Sequence, residues 1–256
     1  MAVTLDANST TTGFNVTSVS YTHTPAGTPS AVAVGAYGFV GIVNTWACTY
    51  GGTTAPPAFT QVSTNRTDLG NIFGLANPSS GAQTVFVDCG PSAGAYPCIV
   101  TVTVTGSDIT TVFDAAGGSF ANSGTALSTT ITGGTSADYV FAMGGSDGGG
   151  PTLSSPGSGG NNTTVIYTSA LNGGEAYAAS SGVGAATFVA TYTSSISTQW
   201  IMMAASFQAA AVAAAAPFVN PDFSRPFDVA NVPPGVIGAN LPLTVPQQLI
   251  GQIWLA

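Results

Sequence analysis

Few side chains in this sequence could carry chemistry, and their spacing decides which reactions to consider. Two stretches match the Gly-x-Ser-x-Gly nucleophile pattern, Gly90-Pro-Ser92-Ala-Gly94 and Gly144-Gly-Ser146-Asp-Gly148. A serine of that kind needs a sharp strand-to-helix turn and a histidine as base. No helical pattern follows either serine, and the single histidine, His23, ends an early β-type run between Thr22 and Thr24. Chance matches are expected in a chain with 33 glycines. Glycoside hydrolysis would need two carboxylates about 5 to 10 Å apart. Asp108 and Asp114 bracket a strand and stand too far apart along it, while Glu175 and Asp138 could meet only across strands. Asp68, Asp108 and Asp147 read as solvated turn residues. Cys48, Cys89, Cys98 and His23 lack zinc spacing, and Asp147 is one oxygen donor where Ca²⁺ wants six to eight. The residues therefore predict a protein that is not an enzyme, with no cofactor and no metal.

The composition narrows the partners. Arg66 and Arg225 are the two cations, against ten carboxylates, for a formal net charge of -8. Counterion release on nucleic acid needs several Lys or Arg on one face, so nucleic acid is excluded. The apolar fraction is 45% but comes in short pieces. Ala209 to Val219, about 11 residues and broken by Pro217, falls short of the roughly 20 that a membrane span needs. The opening Met-Ala-Val-Thr-Leu-Asp has neither the basic nor the apolar region of a secretory signal, so no export is expected. The sequons at Asn8, Asn15, Asn65, Asn161 and Asn162 then mark polar, turn-rich surface. Thirteen Phe and eight Tyr supply a core and argue against disorder. With no export signal and an odd cysteine count, free buried thiols are the first reading, and a Cys89–Cys98 bridge between two strands is the alternative.

The elements that must position these residues are strands. Ile99-Thr-Val-Thr-Val-Thr105 alternates strictly, which predicts a half-buried strand with valines inward and threonines wet. Less strict runs are Phe14–His23, Ala31–Val43, Thr84–Cys89, Ile109–Asp114, Ala126–Thr132, Asp138–Met143, Thr163–Ser169, Glu175–Ser180 and Thr187–Thr193. Trp200–Phe207 is apolar or small on both alternating sets, as in a central strand covered on both sides. One large all-β domain and two small ones fit the length equally well. The pattern predicts an all-β, two-sheet β-sandwich or jelly roll over residues 1–208. Gly144–Asn162 reads as its flexible surface loop.

Residues 209–256 change character to an Ala/Pro-rich extended C-terminal arm with Pro217, Pro221, Pro226, Pro233, Pro234, Pro242 and Pro246. Such a segment makes no core of its own. Its apolar anchors Phe218, Phe223, Phe227, Ile253, Trp254 and Leu255 would be buried on a neighbouring subunit or on its own sandwich, and Arg225 would pair with a carboxylate.

The run Val19-Ser-Tyr-Thr-His-Thr-Pro-Ala-Gly-Thr-Pro29, then Ala31-Val-Ala-Val-Gly35 and Cys48-Thr-Tyr-Gly-Gly52, resembles the opening of β-sandwich virion surface proteins, decoration or tail-associated, of tailed bacteriophages. The resemblance continues through Leu75–Val87, Ala185–Tyr192 and Trp200–Gln208. It implies a capsid decoration or cement protein in the virion, displayed outward and anchored by the arm on the major capsid or tail protein. A homo-oligomer is expected, with a trimer among the options. The alternative is a tail-associated or host-adhesion module binding cell-surface glycan, with Tyr50, Tyr96, Tyr167, Tyr177 and Trp46 as stacking surfaces.

Overall fold

In the computed structural model the described residues are 2–39, 46–62, 68–90, 95–147, 151–154, 159–170 and 176–211. Every regular element among them is a strand. The first half contains β1 (Thr4–Thr12), β2 (Ser18–His23), β3 (Ala31–Phe39), β4 (Ala47–Tyr50), β5 (Thr53–Ala55), β6 (Pro57–Val62), β7 (Asp68–Ala76), β8 (Gln83–Asp88) and β9 (Tyr96–Thr105). The second contains β10 (Phe113–Ala121), β11 (Ala126–Thr132), β12 (Tyr139–Ser146), β13 (Leu153–Ser154), β14 (Thr164–Ala170), β15 (Ala176–Val183), β16 (Thr187–Ser194) and β17 (Trp200–Phe207).

They form four antiparallel sheets, where the sequence pattern predicts two. In the first half β1-β9-β3-β7-β6 faces β2-β8-β4-β5, and in the second β10-β17-β12-β15-β14 faces β11-β16-β13. The five-stranded sheet of the second half repeats that of the first: each runs first, last and third strand of its half and then two consecutive later strands in reverse order. The irregularities repeat as well. A bulge sits between Leu5 and Ala7 against β9 and between Phe113 and Ala115 against β17. Another sits between Pro57 and Phe59 against β7 and between Val165 and Tyr167 against β15. The Asn77 N–H donates to the Ser30 carbonyl as the Gly184 N–H does to that of Asp138. A shared bulge position is a strong sign of common design, because a bulge costs a ladder position and re-aims the strand.

Three apolar layers separate the four sheets. Val32, Val34, Phe73 and Ile99 meet Val85, Val87, Cys48 and Tyr50 inside the first sandwich. Val140, Ala178, Met202 and Ala204 meet Leu127, Phe188 and Tyr192 inside the second. Between the two five-stranded sheets, Ala33, Tyr37, Val100 and Val102 meet Phe141, Met143, Ile201 and Met203. These sheets approach closely because glycines receive the large side chains. A methyl on Gly35 would fall 2.7 Å from the Phe141 ring, and one on Gly70 2.6 Å from Met203. Gly145 takes Tyr37 and Gly74 takes Phe113 in the same way.

The structure departs from the sequence reading in two strands and agrees with it in a third. Thr101 and Thr103 are fully buried rather than wet, because β9 lies in a sheet covered on both faces. Trp200–Phe207 is the doubly covered strand its composition predicts. The strand read at Ile109–Asp114 instead begins at Phe113, because Asp108 holds a turn: its Oδ1 accepts the Thr110 N–H at 2.6 Å and the Thr111 N–H at 3.0 Å. Strands β1, β6 and β7 were not legible, being rich in Thr, Asn, Gly and Pro. Residues Met1–Val212 make one compact unit and Ala213–Ala256 a second, and the second lies outside the described residues.

Candidate functional site

A buried polar network in the first sandwich surrounds the single histidine. His23 ends β2 with 1% exposure. Its Nδ1 lies 2.7 Å from Ser9 Oγ on β1, and its Nε2 lies 3.2 Å from Thr103 Oγ1 on β9. Thr103 Oγ1 donates to Asp6 Oδ2 at 3.0 Å, and the Ala26 N–H donates to that same oxygen at 3.2 Å. These bonds fix the proton pattern. With its own proton committed to the carboxylate, Thr103 is left to accept, so Nε2 carries the hydrogen, Nδ1 accepts, and Ser9 donates. Tyr21 extends the chain, with its hydroxyl 2.5 Å from Thr101 Oγ1 and a further bond to Ser9. Burial pushes the His23 pKa below its ordinary value, partly opposed by the Asp6 charge. Burial also drives Tyr21 up, and Tyr50, whose ring centroid lies 6.0 Å from that of His23, up to about 12.

The order Ser9, His23, Thr103, Asp6 has the groups of a nucleophile relay. Its serine, however, turns its hydroxyl inward to a buried imidazole, between an edge of one sheet and an edge of the other. What the network does in this geometry is staple the β1–β2 corner with every donor matched to an acceptor. The sequence hid it because β1 was not legible as a strand, so Asp6 and Ser9 could not be placed beside His23.

The second sandwich has the same corner with different chemistry. Ala31 pairs with Val104 and Tyr139 with Phe207, so Ser30 corresponds to Asp138, Thr103 to Ser206, and the bulge residue Asp6 to Asp114. Here the Asp114 carboxyl faces Ser206 and shares a hydrogen bond with Asp138. Desolvation, and then the neighbouring Asp138 charge, raise the Asp114 pKa. Asp138 is buried and accepts the N–H groups of Thr135 and, at 2.7 Å, Ala209. Asp114 also borders an open cavity with Pro56, Pro57, Gly74, Val112 and Phe113.

Of the two nucleophile matches, Ser92 lies outside the described residues. Ser146 is the last residue of β12 and fully buried, in a central strand rather than on a strand-to-helix turn. Glu175 lies outside the described residues. Cys48, Cys89 and Cys98 are free and buried, with no Cys89–Cys98 bridge. Burial pushes Cys48 and Cys89 up to about 12 and Cys98 further, so these thiols are inert. Trp46, Tyr50 and Tyr177 are buried in the cores and present no stacking surface; Tyr96 and Tyr167 are partly exposed. Asn162, read as surface, is fully buried: its side chain donates to Ser180 Oγ at 2.9 Å and to the Thr191 carbonyl at 3.0 Å, and accepts the Thr191 N–H. The Asn161 backbone N–H donates to the Val189 carbonyl, and its side-chain oxygen accepts the Val189 N–H. Two asparagines thus satisfy the β16 edge where the first half places a strand.

Phe218, Phe223, Arg225, Phe227, Ile253, Trp254 and Leu255 all lie outside the described residues. No three His, Cys, Asp or Glu side chains converge among the described residues, and no helix there is long and apolar enough to cross a membrane. Comparison of the chain with protein-family models, curated proteins and solved structures gives no match.

Proposed function

We propose that the chain is a non-enzymatic structural protein of a tailed-phage virion, a capsid decoration protein anchored by residues 209–256 on the major capsid or tail protein. Each half would be a jelly roll. The observation that carries this reading is the strand order of the first half: with the extra edge strand β6 set aside, β1-β9-β3-β7 lies against β2-β8-β4-β5, an eight-strand double-sheet plan also used by viral capsid domains, and the second half follows it with one outer strand fewer. The side-chain chemistry agrees with it. The buried polar groups around His23 and Asn162 are spent on a corner and an edge. The phage resemblance and the apolar, Pro-rich arm support attachment in many copies, where modest burial per copy adds up.

Deleting residues 217–256 should abolish incorporation into particles while leaving the sandwiches folded, and normal incorporation of the truncated protein would refute the anchoring. Locating the chain on purified particles and counting its copies separates head from tail.

The second reading, a host-adhesion module, draws on one exposed aromatic pair: Phe14, 60% exposed, meets Tyr96 edge-on with ring centroids 4.9 Å apart. Saturable binding on a glycan array, lost in Phe14→Ala, would favour adhesion.

A further inference from the structure

The sheet edges are unequally protected. A free edge is a template for another strand, and proteins guard edges with bulges, charges, prolines or brevity. Strands β1 and β10 carry a bulged aspartate at one end. Strand β6 carries Pro57 and a bulge, and β14 carries a bulge. Strands β5 and β13 are only three and two residues long. The edges of β2 and β11 are regular in register and hold no charged residue and no proline.

These two differ in what lies beside them. A methyl on Gly117 of β10 would sit 3.7 Å from the Thr130 carbonyl oxygen of β11 and 3.3 Å from Ile131, and Ser119 of β10 bonds Thr129 of β11 at 3.3 Å. The β11 edge is therefore turned against its own sandwich. Strand β1 reaches β2 differently, through the inward side chains of Ser9 and His23, leaving the β2 backbone edge uncovered among the described residues.

The phase of the β2 ladder shows which groups point outward. The Cys89 N–H donates to the Thr17 carbonyl, so the bonded positions toward β8 are Thr17, Val19, Tyr21 and His23. The N–H and C=O groups of Ser18, Ser20 and Thr22 face away from the sheet. All three side chains are exposed and end in hydroxyls.

We infer that β2 pairs antiparallel with β2 of a second copy of this chain across a two-fold axis at Ser20. With Ser20 opposite its partner's Ser20, Ser18 falls opposite the partner's Thr22. The outward groups of each strand then meet those of the other, and no like charges oppose. Small hydroxyl pairs are favourable cross-strand neighbours, and self-complementarity is what an isologous contact requires. The β2-containing sheet continues from one copy into the next.

The pairing does not depend on the virion reading and is tested on the full-length chain in solution by sedimentation and hydrogen exchange. The wild type should show twice the 25.2 kDa chain mass at high concentration, with slow amide exchange at Ser18, Ser20 and Thr22. Ser20→Pro removes an N–H that the monomer's own ladder does not use, and Ser20→Lys sets two cations on the axis. Both should return the mass to 25.2 kDa and speed those amides, while Ser128→Lys on β11 leaves the dimer intact. If Ser20→Pro loses its fold, Ser20→Lys decides. A monomeric wild type, or a dimer that survives a folded Ser20→Lys, overturns the pairing.

Discussion

The two sandwiches share a backbone plan but place opposite chemistry at the same corner. In the first, the bulge residue Asp6 is wired through Thr103 to a buried neutral imidazole. In the second, the corresponding Asp114 meets a carboxyl, Asp138. The outer sheets differ too: the first half fills its short sheet with β4 and β5, while the second closes β16 with β13 and the Asn161–Asn162 side chains. Strand order, bulges and turn hydrogen bonds survive in both halves because they set the pleat and the pairing. Side chains inside each corner need only be mutually satisfied, so they are free to differ.

The largest expected effect tests what holds the halves together. Gly145→Ala drives a methyl into the fully buried Tyr37 ring and should cost about 3 kcal/mol by overpacking, read as a lower denaturation midpoint. A midpoint unchanged from wild type would mean the five-stranded sheets do not interlock there. Next, Asn162→Ala strands the Thr191 backbone groups inside the second sandwich and should cost about 2 to 3 kcal/mol. In the first half the corresponding edge, that of β8, is paired with β4.

The corner itself is broken by His23→Phe, which leaves the hydroxyls of Ser9 and Thr103 without their imidazole partner and should cost about 2 kcal/mol near neutral pH. The same variant tests pH dependence. Because the folded pKa of His23 lies below the ordinary 6.5, the unfolded chain takes up the proton first. Stability is therefore full above pH 6.5 and falls as pH drops toward the folded pKa. His23→Phe should flatten that acid limb in urea titrations at stepped pH. Asp114 runs the other way. Its folded pKa is raised above 3.8, so its contribution is full below that pH and is lost as pH rises through the folded value. Asp114→Asn should therefore stabilise the protein at neutral pH, by less than about 1 kcal/mol, since Asp114 is largely exposed and screened. Equal slopes for both variants would refute the opposite wiring of the corners.

Much of the fold was legible where apolar alternation is strong: β9, β11, β12, β16 and β17 stand close to where periodicity puts them. The doubling was not. At the corresponding bulges Leu5-Asp6-Ala7 matches Phe113-Asp114-Ala115, but three residues in a chain this rich in Ala carry little signal. The strands that complete the pattern, β1, β6 and β7, are built from Thr, Asn, Gly and Pro. Those residues are tolerated in strands because the neighbouring sheet supplies the packing or because bulges absorb the proline. The His23 network was illegible for the same reason, since its partners lie on β1 and on the face of β9 that alternation assigned to water. The odd cysteine count did point to Cys48, Cys89 and Cys98 as free buried thiols, where each acts as a small apolar residue of the core.

Native-state hydrogen exchange across all backbone amides tests the four-layer arrangement most directly. Strands β3, β9, β12 and β17 lie in sheets covered on both faces. They should form one slowest-exchanging set drawn from both halves of the chain, with β2, β8, β11 and β16 exchanging earlier. Exchange of the two halves as independent units, or slowest protection in the outer sheets, would contradict it.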